Sequence, residues 1–350
     1  MKLNRYTLAF GFAALAFTAC ENELKQDAEL NIDVATSDAV SFDGQQTITV
    51  KKGTPVDFLI GGDPDYLTFF SGEIGAEYRN RERTTVSMDD IESSKLSVTI
   101  EAQYGDPAEI MQVLVAEDFQ GLTKTDFAAD SVLVDEGTDW QTLIGPAPSK
   151  AEPGVPQVAN FNAGVLTTVD MTPYLNRSIT LGFRYKSVRN EKVQSKFYFR
   201  NLQIENVMKN GQVITLDAKS FGFTALNMYY RHPDVLDSQN RRNVLSGKPY
   251  ATVTNNTSGV WNLANMTNFF IHSSPANSPL MYVWLVSDQL VINACTPDSG
   301  VGIKNITDDL NAYSYTYDKV GTYTATFVGR NANYKKQTEV VREYTVNVIE

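Results

Sequence analysis

Apolar and polar residues alternate with a period of two along most of the chain after residue 30. Five segments show the pattern clearly, and their apolar positions are Val56, Phe58 and Ile60; Leu96, Val98 and Ile100; Leu181, Phe183 and Tyr185; Tyr323, Ala325 and Phe327; and Tyr344, Val346 and Val348. Because successive side chains of a strand point to opposite faces, this pattern predicts antiparallel strands that are buried on one face. No long helical period follows residue 30. The prediction is an all-β protein built from tandem antiparallel β-sandwiches.

The length of the chain favours more than one domain. At 350 residues it is long for a single hydrophobic core, so two or three domains are expected. Turn-forming residues such as Gly61-Gly62-Asp63-Pro64-Asp65 and Pro297-Asp298-Ser299-Gly300 separate the groups of strands. The predicted division is a signal peptide over 1–19, a tether over 20–29, a first sandwich over 30–94, a second over 95–285 and a third over 286–350.

The first twenty residues carry the pattern of an exported protein. Lys2 and Arg5 precede an apolar stretch that ends at Phe17, which is shorter than the ~20 residues a helix needs to span a bilayer. Phe17-Thr18-Ala19-Cys20 resembles the lipobox of bacterial lipoproteins, with Phe17 where leucine is usual. The resemblance implies cleavage before Cys20 and lipid on its thiol, so that membrane lipid is a partner through Cys20. The alternative is an ordinary signal peptide cut near Ala19.

The segment after Cys20 is polar and mostly acidic, which is typical of a flexible tether. It resembles in part the export signal of Bacteroidota surface lipoproteins, and this implies a lipid-anchored protein of the outer membrane, at the cell surface. Further along, the run from Asp318 to Phe327 resembles the last hairpin of immunoglobulin-type, PKD-like domains. The run from Ala116 to Gly121, with Trp140 and Pro173, resembles the galactose-binding-like jelly roll of choice-of-anchor modules. Such sandwiches host many functions, so the resemblance implies fold and habitat more than activity.

Charge and chemistry exclude several classes of function. The net charge of −11 argues against nucleic acid as a partner, since phosphates require a basic surface. No nucleophile elbow, zinc-protease motif or phosphate-binding loop occurs, and with two histidines no His-rich metal site is available. The prediction is therefore no enzyme and no cofactor, with a structural calcium ion left open. Cys295 lies in an apolar run, which predicts a buried thiol rather than a nucleophile.

Aromatic residues among polar neighbours are the candidate binding groups, because pyranose faces stack on rings while amides and hydroxyls bind the sugar hydroxyls. Trp261 is surrounded by such neighbours, whereas Trp140 and Trp284 are predicted to be core residues. A second polar-aromatic loop follows from residue 229. The predicted carbohydrate-binding residues are Trp261, Tyr229, Tyr230 and Arg231. The alternative for both loops is that each is filled by its own aromatic side chain.

Three functions follow from these observations. The first is a surface lipoprotein that binds glycan for a polysaccharide-utilisation system, beside an outer-membrane importer complex. The second is a structural or adhesive protein that binds other proteins through its sandwich edges. The third is a hydrolase whose acidic residues the sequence does not single out among its 41 carboxylates.

Overall fold

The computed structural model describes residues 27–188, 191–232, 248–278 and 280–350. Before residue 120 the strands are β1 (Asn31–Val34), β2 (Val40–Phe42), β3 (Thr47–Lys51), β4 (Pro55–Gly61), β5 (Tyr66–Phe70), β6 (Ile91–Gln103) and β7 (Met111–Ala116). The next are β8 (Gln141–Ile144), β9 (Pro146–Ala147), β10 (Val155–Pro156), β11 (Leu166–Asp170), β12 (Ser178–Lys186), β13 (Lys196–Met208), β14 (Val213–Asp217) and β15 (Thr224–Asn227). The last are β16 (Trp261–Asn262), β17 (Asn268–Ile271), β18 (Tyr282–Val286), β19 (Leu290–Val291), β20 (Val301–Lys304), β21 (Ala312–Thr316), β22 (Gly321–Ala332) and β23 (Gln337–Ile349).

Helical structure is short. The described residues form one α-helix, α1 (Phe127–Asp135), and 3-10 turns at Tyr78–Asn80, Met88–Asp90, Thr172–Tyr174, Ala218–Phe221 and Tyr229–Arg231. No helix within the described ranges is long and apolar enough to cross a membrane. The prediction of an all-β protein of antiparallel sandwiches is confirmed. The alternating faces are confirmed as well: in β4, for example, Val56, Phe58 and Ile60 are buried, while Asp57 and Leu59 between them are exposed.

The sequence did not predict α1. The side chain of Asp126 accepts a hydrogen bond from the backbone N–H of Ala129 and so caps the first turn. The buried positions of the helix are Asp130, Ser131 and Val134, two of which are polar. A helix that buries polar side chains shows no apolar stripe, and this is why its period was hidden in the sequence.

The division into domains differs from the three consecutive sandwiches expected at 30–94, 95–285 and 286–350. The described residues form two compact units, one from residues 27–83 together with Pro297–Glu350, the other from those within Thr84–Thr296. The first and last segments complete one sandwich because β3 pairs in parallel with β23, and β5 pairs with both β20 and β22. The tether expected over 20–29 ends earlier, since Ala28 donates its backbone N–H to Thr338 Oγ1 at 3.0 Å.

Unit 1 has a three-stranded sheet in the order β1-β4-β21 and a six-stranded sheet in the order β2-β3-β23-β22-β5-β20. Its core contains the rings of Phe58, Phe69 and Phe327, with Phe327 4.9 Å from Phe58 and 4.8 Å from Phe69 between centroids. Phe58 and Phe69 come from the first segment and Phe327 from the last. Each segment alone would leave its apolar face in water, which is the physical reason that they fold together.

Unit 2 is a sandwich of two six-stranded sheets. The first has the order β11-β6-β13-β17-β16 with β14 beside β13, and the second has the order β15-β18-β12-β7-β8 with β19 beside β12. A large apolar core lies between them. The outer face of the second sheet carries a smaller cluster that α1 covers, and there Trp284 is 1% exposed, as predicted for a core residue. Trp140 is half-buried against Trp284, with ring centroids 5.3 Å apart.

Candidate functional site

The outer face of the first sheet of unit 2 carries a group of aromatic side chains. In β13, Phe197 and Phe199 enter the core, so Tyr198 between them points outward. In β17, Phe269 enters the core and Phe270 points outward. Tyr198 and Phe270 are register partners in the sheet and therefore lie side by side on this face.

A bulge in β13 ends the aromatic group on one side. The register with β6 shifts between Arg200 and Gln203, and Asn201 takes a left-handed conformation with φ 50°. The inserted residue resets the alternation, so that Leu202 and Ile204 continue the core after Phe199. The outward face of β13 is therefore aromatic and basic before the bulge, up to Arg200, and polar after it, from Gln203.

Phe161 adds a third ring from a loop. Asn160, which is almost fully buried, accepts the backbone N–H of Ala102 at 2.8 Å and so fixes the loop to β6. Gly164 lets the loop lie close to the sheet, because a Cβ atom there would stand 2.6 Å from Cγ of Glu101. The ring of Phe161 is 5.3 Å from that of Tyr198.

The three rings of Phe161, Tyr198 and Phe270 form what is called here the aromatic platform. The ring of Tyr198 is 5.4 Å from that of Phe270, and the planes of the neighbouring rings are inclined by 33° and 47°. Phe161 is 36% exposed, while Tyr198 and Phe270 are half-buried. The platform is thus a shallow apolar surface set within a polar sheet face.

Charged side chains flank the platform along β13. Arg200 donates from Nε and Nη2 to one oxygen of Glu101, at 3.1 and 3.0 Å, and lies 5.2 Å from the centroid of Tyr198. Lys196 lies on the other side, with Nζ 3.8 Å from the centroid of Phe270 and 4.5 Å from that of Tyr198. Both cations lie over ring faces of the platform and form cation–π contacts.

Polar groups without hydrogen-bond partners lie beside the platform. Asn268 Oδ1 and His272 Nδ1 are buried, and neither has a partner among the described residues. Both belong to the outward face of β17 or its end, on either side of Phe270. Burial, and secondarily the charge of Lys196, lower the pKa of His272, so its ring is neutral at neutral pH. Buried polar groups are normally paired, and each of these two atoms would gain a hydrogen bond from a ligand or water that reached it.

The sequence placed a sugar contact at Trp261, and the structure corrects this. Trp261 is 0% exposed and lies in the core of unit 2, with its ring 5.9 Å from Phe199 and 6.1 Å from Phe269. Its position in β16 points the ring inward, whatever the polarity of the flanking loop. It has no ring face for a sugar to stack on.

The second predicted loop lies against α1, on the far side of the other sheet. Tyr230 is 38% exposed, and its hydroxyl is 3.0 Å from Ser131 Oγ. Arg231 forms ion pairs with Asp135, at 3.0 Å, and with Glu136. These contacts hold the turn to the helix, and the prediction that Tyr230 and Arg231 bind carbohydrate stays untested. The side chain of Tyr229 lies outside the described residues.

The residues of the platform were missed although part of the signal was present. The alternation in Lys196-Phe197-Tyr198-Phe199-Arg200 leaves one face of a strand with a tyrosine between two cations. When one face of a strand is apolar and fills the core, an aromatic residue on the opposite face indicates a binding surface there. The contribution of Phe161 could not be found this way, because a loop brings it over β13 from elsewhere in the chain.

Other features of the structure offer less. Among the described residues, each unit has a cleft of about 240 Å³ with at most one aromatic ring in its wall. Within the described ranges, no group of three or more His, Cys, Asp or Glu side chains could hold a metal ion. Cys295, expected to be buried, is half-buried and packs against the core of unit 2. Cys20 lies outside the described residues.

The fold and the platform define a protein of two β-sandwich units with an aromatic surface on one sheet. Residues 28–222 match a domain of unknown function, DUF5017, and since this is more than half of the chain, the protein belongs to that family. Comparison with curated proteins and with solved structures gave no match.

Proposed function

We propose that this protein binds glycan without catalysis and is held at the bacterial outer-membrane surface by a lipid on Cys20. In this proposal unit 1 is a PKD-like sandwich, unit 2 is a galactose-binding-like jelly roll, and the protein presents polysaccharide to an outer-membrane importer. The lipobox-like Phe17-Thr18-Ala19-Cys20 supports the anchor.

The observation that carries the proposal is the aromatic platform. Tyr198 and Phe270 are adjacent half-buried rings, and the buried amide oxygen of Asn268 beside them has no partner among the described residues. Pyranose C–H faces stack on such rings, while amides and imidazoles bind the sugar hydroxyls. A shallow, open surface of this kind suits a polysaccharide better than a small ligand, which needs a concave pocket.

Binding is tested on the soluble protein without residues 1–20, by isothermal titration against plant, host and microbial polysaccharides. A single site of this type is expected to bind with a millimolar to micromolar Kd, equivalent to roughly 4–8 kcal/mol. Tyr198→Ala and Phe270→Ala should each weaken binding by more than about fivefold, as expected for loss of a central aromatic contact. Tyr334→Ala is the matched control, because it removes an exposed tyrosine from unit 1 and leaves unit 2 unchanged.

Two results would count against the proposal. Absence of binding to every polysaccharide would refute glycan binding. Binding that survives both platform substitutions, in variants whose Tm is unchanged, would refute the platform as the site. The anchor is tested separately by Cys20→Ser, which should release the protein from the membrane fraction and abolish labelling with radioactive palmitate.

A further inference from the structure

Lys196 is a buried cation with an incomplete set of partners. The residue is 5% exposed, and its ammonium has three N–H groups. One of them donates to Asn256 Oδ1 at 3.3 Å, and the ammonium lies over the rings of Phe270 and Tyr198. Tyr104 and His272 are close enough to interact with it electrostatically. Among the described residues, no carboxylate lies within 4.0 Å of its Nζ. Burial lowers its pKa, as expected for an ammonium that is withdrawn from water without a counter-ion.

The other cations on this face, Arg200 and Lys95, each have an acidic residue beside them. Arg200 is paired with Glu101, whose side chain is 8% exposed. Lys95 and Asp170 are register partners at the far end of the same face. Lys196 therefore supplies the one positive charge beside the platform that no described acidic group compensates.

A buried charge without a partner is costly, and an anion brought to it removes much of that cost. A sugar stacked on Tyr198 and Phe270 would place its ring substituents next to the ammonium, which lies within 4.5 Å of both ring centroids. The chain as a whole carries −11, so long-range electrostatics repel anionic polymers. A preference for anionic glycans must then come from the contact between the anion and the ammonium of Lys196. Salt screens the attraction between such buried groups less than that between exposed charges.

Accepting the proposed function of the platform, we infer that it selects acidic glycans, with the ammonium of Lys196 pairing with a uronate carboxylate or a sulfate ester. A carboxylate and a sulfate ester are both anions that accept hydrogen bonds from an ammonium group, and two pairs of ligands distinguish them. Polygalacturonate is compared with its methyl ester, and chondroitin sulfate with unsulfated chondroitin.

Titration calorimetry of the soluble protein should show at least a tenfold preference for polygalacturonate over its methyl ester if Lys196 pairs with a carboxylate, or for chondroitin sulfate over unsulfated chondroitin if it pairs with a sulfate ester. Lys196→Met keeps the length of the side chain without its charge and should reduce that ratio to near one, whereas Lys196→Arg should retain it. Lys95→Met is the matched control. It makes the same change in net charge on the same sheet face, six residues from Glu101 along β6 and so roughly 20 Å from the platform.

The outcomes separate this inference from the function on which it rests. Binding of both members of each pair with equal affinity would overturn the inference and leave glycan binding in place. A preference that persists in Lys196→Met, or that is lost equally in Lys95→Met, would overturn it as well. Absence of binding to any glycan would refute the proposed function and the inference with it.

Discussion

Trp261 offers the sharpest test of how unit 2 is packed, because the sequence and the structure give it different roles. Its ring lies between the two sheets, is 0% exposed and contacts Phe183, Phe199 and Phe269. Trp261→Ala would leave a cavity in this aromatic cluster. The effect should therefore be on the stability of the unit and not on an exposed binding surface.

The expected magnitude follows from comparable core truncations. Replacing a buried Phe or Trp by Ala costs about 3–5 kcal/mol, the range reflecting how far the neighbours relax. For a unit the size of Thr84–Thr296, each kcal/mol lowers the Tm by about 2–4 °C. Trp261→Ala should thus lower the Tm of unit 2 by roughly 6–20 °C.

Trp261→Phe separates ring packing from the polar atom of the indole. The Nε1 of Trp261 is buried and has no hydrogen-bond partner among the described residues. An unsatisfied buried donor costs about 1–3 kcal/mol, and phenylalanine removes it while keeping most of the ring. The smaller ring loses packing contacts, which destabilises unit 2, while removal of the unsatisfied N–H stabilises it. Trp261→Phe should therefore change the free energy of unfolding by less than about 1.5 kcal/mol.

Tryptophan fluorescence is a suitable probe, since all three tryptophans, Trp140, Trp261 and Trp284, lie in unit 2. Unfolding in guanidinium chloride, followed by this signal, reports on that unit and not on unit 1. Equal stability of Trp261→Ala and the wild type would refute the packing. So would a loss of glycan binding in Trp261→Phe with stability unchanged, because a fully buried ring has no contact with a ligand.

Three further predictions concern conformation and pH. Gly72→Ala should destabilise unit 1 more than Gly53→Ala does. Both glycines have positive φ, but only at Gly72 would a Cβ atom meet backbone, at 2.5 Å from the N and O of Thr324. The rates of hydrogen exchange along β22 in the two variants measure the difference in stability. The lowered pKa of His272 means that its ring binds a proton more readily in the unfolded chain than in the folded one. The free energy of unfolding of unit 2 should therefore rise with pH up to about 6.5. Unfolding curves at pH 5 to 7.5 should show a smaller rise in His272→Gln. Hydrogen bonds from the backbone N–H groups of its own turn lower the pKa of Asp43 to about 2. The stabilisation that the Asp43 carboxylate gives is therefore complete above pH 3.8 and lost as the pH falls to 2. The difference in Tm between the wild type and Asp43→Asn should shrink over that interval, and a constant difference would contradict this prediction.

The sequence alone determined the strands of this protein and their buried faces, although not the helix α1. The alternation at positions such as Phe58, Leu96 and Phe183 predicted which residues form strands and which face of each strand is buried, and the structure confirms these assignments. Trp284 was also predicted correctly, because both faces of its strand are apolar in sequence. These properties depend on residues two or four positions apart, which the sequence shows directly.

Only the tertiary structure decided which strands share a sheet. Thr47 pairs with Thr345 and Phe69 with Phe327, so the first sandwich is closed by strands from opposite ends of the chain. Alternation is the same for every possible partner of a strand, and it therefore gives no information about such pairs. The three consecutive domains expected from the sequence followed chain order, whereas burial of the shared aromatic core joins the two ends.

The candidate site was decided in the same way. Trp261 lies among polar residues in the sequence, yet its ring enters the core because β16 pairs with β17 in a register that points it inward. Phe161, Tyr198 and Phe270 belong to three segments far apart in the chain, and they become one surface only when the loop, β13 and β17 lie together. The sequence specifies the face of each side chain, and the packing of the sheets specifies what that face meets.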